Sequence, residues 1–173
     1  MRFIRLPGIV VLLAISLSSM AQIAGATDSL RAQAARMERA FIAGDFITYV
    51  QYFPSKFIQA KGGRDSVVKS LLDARRNVTG VAYDSVRLDA PSGFINENGL
   101  LQGILGERAF LTMGHNRVLL KTTLVCLSPD NGAHWSFLEG GEQGGINQLR
   151  IWLPDISEKL VMPPQPPPQT FPK

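Results

Sequence analysis

Along residues 117–138 apolar positions run through Val118, Leu119, Leu120, Leu124, Val125 and Leu127, break at Ser128-Pro129-Asp130-Asn131-Gly132, and resume at Trp135, Phe137 and Leu138. A largely buried strand, a turn and a returning strand are written this way, so the stretch predicts the central hairpin of a sheet. Upstream the period is helical. Leu30, Ala34, Met37, Phe41 and Ile42 recur at three-to-four spacing behind a cap at Asp28 or Ser29, and Gly44 ends that helix. Asp45 caps a second helix through Phe46, Ile47, Tyr49 and Val50, which the Tyr52-Phe53-Pro54 step interrupts, because a proline disfavours helix in the residue before it. After a short segment at 56–60 and Gly62-Gly63, a third helix over 65–77 turns Val67, Val68, Leu71 and Leu72 inward and Lys69, Asp73, Arg75 and Arg76 outward.

From Thr79 the period shortens to that of strands. Residues 81–88 read as a strand, Pro91-Ser92-Gly93 breaks it, Asn96-Glu97-Asn98-Gly99 is a turn, and 100–113 reads as one bulged strand or two short ones around Gly103 and Gly106. Gly114-His115-Asn116 turns the chain into the central hairpin. Glycines 140, 141, 144 and 145 form a loop, 146–153 is helix or strand, and Ile156 and Leu160 dock a last short helix. Six of the eleven prolines fall within residues 162–173, so 163–173 is expected to be an extended tail without a core of its own, solvated or lying against the wall, and only secondarily a P-x-x-P recognition motif.

A length of 173 residues with 45% hydrophobic side chains suits one domain with a real core. The N-terminus stands apart. Arg2 and Arg5, the apolar run 9–17 and the small-x-small Ala24-Gly25-Ala26 compose a secretory signal over 1–26, with Ser19-Met20-Ala21 as a second cleavage site. The run is too short to span a bilayer, and no cysteine follows it to carry a lipid, so the mature chain is expected in a bacterial periplasm or outside the cell, without a stable membrane anchor. Without its first 26 residues the chain carries 16 basic against 14 acidic side chains, too even a balance for nucleic-acid binding. Cys126 is alone, which excludes an intramolecular disulfide, and its apolar strand makes it a buried small hydrophobe. Two histidines without metal-ligand spacing predict no metal site, and the glycine loop lacks the lysine of a phosphate cradle, so no cofactor is expected.

Ser128, Asp130, Gly132 and Trp135 reproduce the S-x-D-x-G-x-x-W pattern of an Asp-box. Asp130 can accept from backbone N–H groups in the turn, Gly132 can take a positive φ, and Trp135 can cover the turn, so the motif is structural. It resembles the boxes that recur once per blade in sialidase propellers, but one copy in so short a chain excludes a propeller.

Three helices followed by a curved antiparallel sheet resemble the nuclear transport factor 2-like superfamily, and so do particular residues over 35–163. Ala40-Phe41-Ile42-Ala43-Gly44-Asp45-Phe46 resembles its a-x-x-x-G-D helix corner, and Tyr52-Phe53-Pro54 with Gly62-Gly63 its approach to the third helix. The box, Leu153-Pro154-Asp155-Ile156 and Leu160-Val161-Met162-Pro163 resemble a secreted bacterial branch. The resemblance implies an α+β fold over 27–162 in which N-terminal helices pack a cone-shaped, cystatin-like curved antiparallel sheet. It implies no single activity, because the superfamily includes isomerases, dehydratases, binders and non-catalytic partner domains.

Within such a cone the expected ligand-binding residues are Phe46, Tyr49, Phe53, Phe57, Met113 and Trp135, each also at home in a core. The expected function is an exported, non-catalytic binding or interaction module, taking a small apolar molecule in the cone or a protein through the sheet. A homodimer or an envelope protein is the expected protein partner, because residues 118–127 are apolar on both faces and suit a sheet covered on both sides. The alternative is a cofactor-free isomerase or lyase, ketosteroid isomerase-like or dehydratase-like, with Tyr49, Tyr52 and Tyr83 as donors and Asp84, Asp89, Glu107 and Glu139 as carboxylates. No spacing matches the family's catalytic pattern, and His115 and His134 read as turn residues. A carboxylate facing into the cone beside a tyrosine separates the two readings.

Overall fold

The computed structural model describes residues 8–140 and 145–172, with side chains from Gly25 onward. Arg2 and Arg5 of the expected export signal, and most of the glycine loop, lie outside them. Helix α1 (Gly8–Ala43) runs unbroken through the expected cleavage region. Among the described residues no helix is long and apolar enough to cross a membrane.

The corner at Gly44-Asp45 forms for local reasons. Gly44 takes φ +75°, Arg75 donates to the terminal carbonyls of Phe41 and Ile42 at 2.9 and 3.2 Å, and Asp45 caps α2 (Phe46–Tyr49) by accepting from the Thr48 N–H at 3.1 Å. A 3-10 turn (Val50–Tyr52) follows, then α3 (Ser55–Ala60) directly after Pro54, and α4 (Arg64–Asn77). Val67 of α4 is buried and Val68 and Leu71 are half-buried, but Leu72 is exposed, contrary to the inward set read from its spacing. The face that α4 turns to its neighbours is centred on Val67 and Leu71, and Leu72 lies a further 100° around the helix.

The rest is a curved antiparallel sheet. Strands β1 (Val81–Pro91), β3 (Leu100–Met113), β4 (Asn116–Ser128) and β5 (Ser136–Glu139) follow in that order, β2 (Ile95–Glu97) pairs with the start of β3, and β6 (Gln169–Pro172) pairs with the start of β4. Residues 100–113 are thus one strand. Gly103 and Gly106 let neighbouring side chains cross it closely, since a Cβ there would come within 2.9 Å of the Phe94 ring and of the Asp89 carboxylate respectively.

Alternation divides β3 and β4 between two cores. On one face Leu105, Leu124, Cys126 and Phe137 pack with Trp135 under Ala26, Leu30, Ala34 and Met37 of α1. On the other, Ile104, Val125, Leu127 and Leu138 pack against Leu149, Leu153, Ile156 and Leu160. The sheet is therefore covered on both sides, but at this end the second cover is the chain's own α5 (Ile146–Trp152) and the segment after it rather than another copy. Ile156 and Leu160 do dock, although 153–160 is a series of turns and not a helix. The buried Gln102 amide fastens this cover, donating to the Asp155 carbonyl at 3.1 Å and accepting from the Ser157 N–H at 2.8 Å. Gln102→Leu strands both backbone groups in an apolar setting, and a loss of about 1–3 kcal/mol in urea unfolding is expected.

The Asp-box holds the same end of the β3–β4 pair on its α1 face, since Gln102 stands opposite Leu127, one residue before Ser128. Ser128 Oγ donates to Asp130 and accepts from Gly132 N–H, His134 N–H donates to Asp130 at 2.8 Å, and Trp135 Nε1 donates to the Gly132 carbonyl at 3.0 Å. The His134 backbone and side chain, more than any charge, hold the exposed Asp130 carboxylate down at about 2. Gln33 ties the turn to α1, donating to the Ala133 carbonyl at 2.9 Å and accepting from Trp135 N–H at 3.0 Å.

The proline tail is not free. Its last residues form β6, pairing Leu119 with Gln169 and Asn116 with Pro172 along the edge of β4 that β5 leaves open.

Candidate acid cavity between the first helix and the sheet

Residues of one parity on β3 and β4 face α1, and the register sets Glu107 opposite Thr122 and Leu124 opposite Glu139. Glu38 of α1 comes down onto this row. It lies one turn beyond Ala34 and one before Phe41, on the stripe that packs the sheet, and only 7% of its surface is exposed. The result is a cavity of about 330 Å³ whose acidic wall is Glu38, Glu107 and Glu139 and whose aromatic wall is Phe41, Tyr49 and Tyr83. The rings interlock, Phe41 lying 5.1 Å from Tyr49 and 4.9 Å from Tyr83 between centroids.

The electrostatics follow from burial. Loss of water, then the neighbouring charges of Glu107 and Glu139, push the Glu38 carboxyl up to about 9, so that it is neutral at pH 7. It then donates a hydrogen bond to Glu107, whose own affinity for protons is raised by burial and partly brought back by that bond and by Thr122 nearby. The buried Thr122 hydroxyl makes no hydrogen bond of regular geometry. Tyr49 is held as a phenol far above its ordinary range by burial and by the same three acids. A neutral acid, a carboxylate and a phenol thus share one small volume, which is the equipment for giving and taking a proton. Among the described residues no three His, Cys, Asp or Glu side chains converge as metal ligands.

A second cavity of about 340 Å³ adjoins the first through Tyr49, Leu71 and Glu139, and its further walls include Phe53, Phe57, Val67 and Leu138. Tyr49, Phe53 and Phe57 step along it at centroid separations of 5.0 and 5.8 Å. No family model, no curated protein and no solved structure matches this chain. What the site can do follows from its own residues.

Of the residues expected to line a site, Tyr49, Phe53 and Phe57 are brought together here. Phe46 is buried and borders a smaller apolar cavity of about 260 Å³ with Arg75 at its side. Met113 ends β3 at the Gly114 turn, 44% exposed, outside these cavities. Trp135 has its ring sunk beside Phe94 under the Asp-box, where its indole donates to a turn carbonyl.

The carboxylates divide similarly. Glu107 and Glu139 line the cavity, whereas Asp89 pairs with Arg108 and Asp84 accepts from Thr112 at the surface. Tyr83 lines it, and Tyr52 packs on Phe137 instead. Glu38 is absent from the expected set. Its signal is the 34, 38, 41 spacing, but a charged residue at a core position is ordinarily read as solvated. Cys126 is fully buried, and burial pushes its thiol well up, leaving a small core residue without thiolate reactivity.

Proposed function

We propose that this chain is an exported, cofactor-free acid–base catalyst, an isomerase or lyase, acting on a small molecule with an apolar body and an acidic C–H. One observation carries the reading: the neutral Glu38, paired with Glu107, stands beside Tyr49 inside a cavity. A carboxylate next to a tyrosine is the feature that separates catalysis from plain binding. In this reading Glu107 takes a proton from carbon while Glu38 or Tyr49 donates to the oxygen that gains charge, and return of the proton at another carbon completes an isomerisation. The helices-then-sheet order and a cavity beneath the helices support the resemblance to nuclear transport factor 2-like proteins. The adjoining apolar cavity favours a second reading, in which the same pair of cavities holds an apolar molecule without turnover.

Proton exchange tests the choice. The purified protein is expected to speed deuterium incorporation from D₂O into members of a panel of simple ketones and enones, followed by NMR. Glu107→Gln and Glu38→Gln should each lower that rate by about a hundredfold or more, the ordinary contribution of a positioned acid or base. Equal rates in wild type and both variants sink the catalytic reading. A co-purifying small mass in native mass spectrometry without exchange selects the binding one.

A further inference from the structure

The acid cavity has a wall that belongs neither to the helices nor to the sheet. Gln165, Pro166 and Pro168 line it together with Lys121 and Thr122. The segment that carries them is tied at both ends. At its root Met162 lies over Gly140, where the methionine methyl occupies the space that a Cβ on that glycine would need. At its far end β6 pairs with Asn116–Leu119 of β4. Between the ties Pro163-Pro164-Gln165-Pro166-Pro167-Pro168 carries only one backbone N–H donor, on Gln165, so it can pass the open edge of β4 without zipping onto it.

The two ties are unequal. Met162 is partly buried, whereas every residue from 163 to 172 is exposed, Phe171 among them at 49%. A four-residue edge strand whose residues are all exposed, with a proline at its end, opens at low free-energy cost. The stiff proline run then swings as a unit from its root.

We propose that residues 163–172 are a hinged strap over the acid cavity: β6 docked on β4 shuts the cavity, and release of β6 admits the ligand. The strap rests on the reading of this cavity as the site, but its test does not, because access to Glu38 is measurable whether or not turnover occurs. A water-soluble carbodiimide with glycine ethyl ester converts accessible protonated carboxyls to amides, and peptide mass spectrometry reads Glu38 against the exposed Asp65 of α4 as internal reference. The pair Arg117→Cys and Phe171→Cys sits directly across the β4–β6 ladder, where antiparallel partners fall within disulfide range, and the native Cys126 is buried out of reach.

Oxidation of the double variant is expected to lower the Glu38 to Asp65 labelling ratio about tenfold, and reduction to restore it. A chain ending at Met162 should label about tenfold faster than the full chain. The ratio unchanged by oxidation and reduction overturns the strap, whatever the truncated chain does. If the strap holds while ketone exchange fails, the cavity is gated but its chemistry has been misread.

Discussion

Glu38→Gln is expected to make the protein more stable, by about 2–4 kcal/mol at pH 9, while slowing the proposed proton transfer about a hundredfold or more. The carboxyl pKa rises from 4.5 in the unfolded chain to about 9 in the folded one, through burial first and then Glu107 and Glu139. Between those values the native state keeps a proton that the unfolded state has released, so wild-type stability falls as pH climbs from about 4.5 to about 9 and levels off beyond. Glutamine cannot ionise and removes that slope. Moving a carboxyl pKa by one corresponds to about 1.4 kcal/mol, and the expected gain is smaller than the full difference because Glu107 shares the proton. Lys121 also borders the cavity, and Tyr49 stays neutral across this range. Urea unfolding at pH 5, 7 and 9 measures the effect: wild type and variant should differ least at pH 5. Parallel curves at all three would mean that Glu38 is ionised in the folded protein. A site that costs stability where its chemistry needs a buried acid is a familiar exchange between the two.

Gly132→Ala should be among the most damaging single methyls in the molecule, costing about 3 kcal/mol. Gly132 has φ +95°, and a Cβ there would stand 2.5 Å from the Ala26 Cβ and 2.9 Å from its Cα. The backbone conformation contributes about 1–2 kcal/mol of strain for a side-chain-bearing residue, and overpacking against a helix backbone a similar amount. Ala26→Gly in the same chain is expected to recover part of the second contribution and none of the first. The contact also bears on export. Ala26 is 4% exposed in the core under α1, so cleavage after it removes a core residue, whereas cleavage after Ala21 leaves it in place. On the proposal that the chain is exported, the intact mass of the mature protein should accordingly begin at Gln22. A mass beginning at Thr27 predicts instead that Gly132→Ala costs only the backbone strain.

What could be read in advance was what short-range physics specifies. The Gly44-Asp45 corner needs one positive φ and one carboxylate three residues before an N–H, and the Asp-box closes through bonds spanning two to four residues. Both are written where they act. Phe53 and Phe57 flank the break that Pro54 makes between helices, and both line the second cavity. The places of Met113 and Trp135 were not legible, because a large apolar side chain near the end of a strand looks the same whether it caps a cavity, a core or nothing.

The helices-then-sheet order, the hairpin signals and the turn chemistry are legible in the residue order, since each depends on residues a few positions apart. That Glu38 of the first helix joins Glu107 of a distant strand, that α5 covers the second face, and that a proline tail returns to β4 emerge only on folding. A carboxyl's ionisation is set by how much water the rest of the fold removes from it, and a tail's course by which sheet edge other strands leave open. Neither quantity exists until the whole chain is packed.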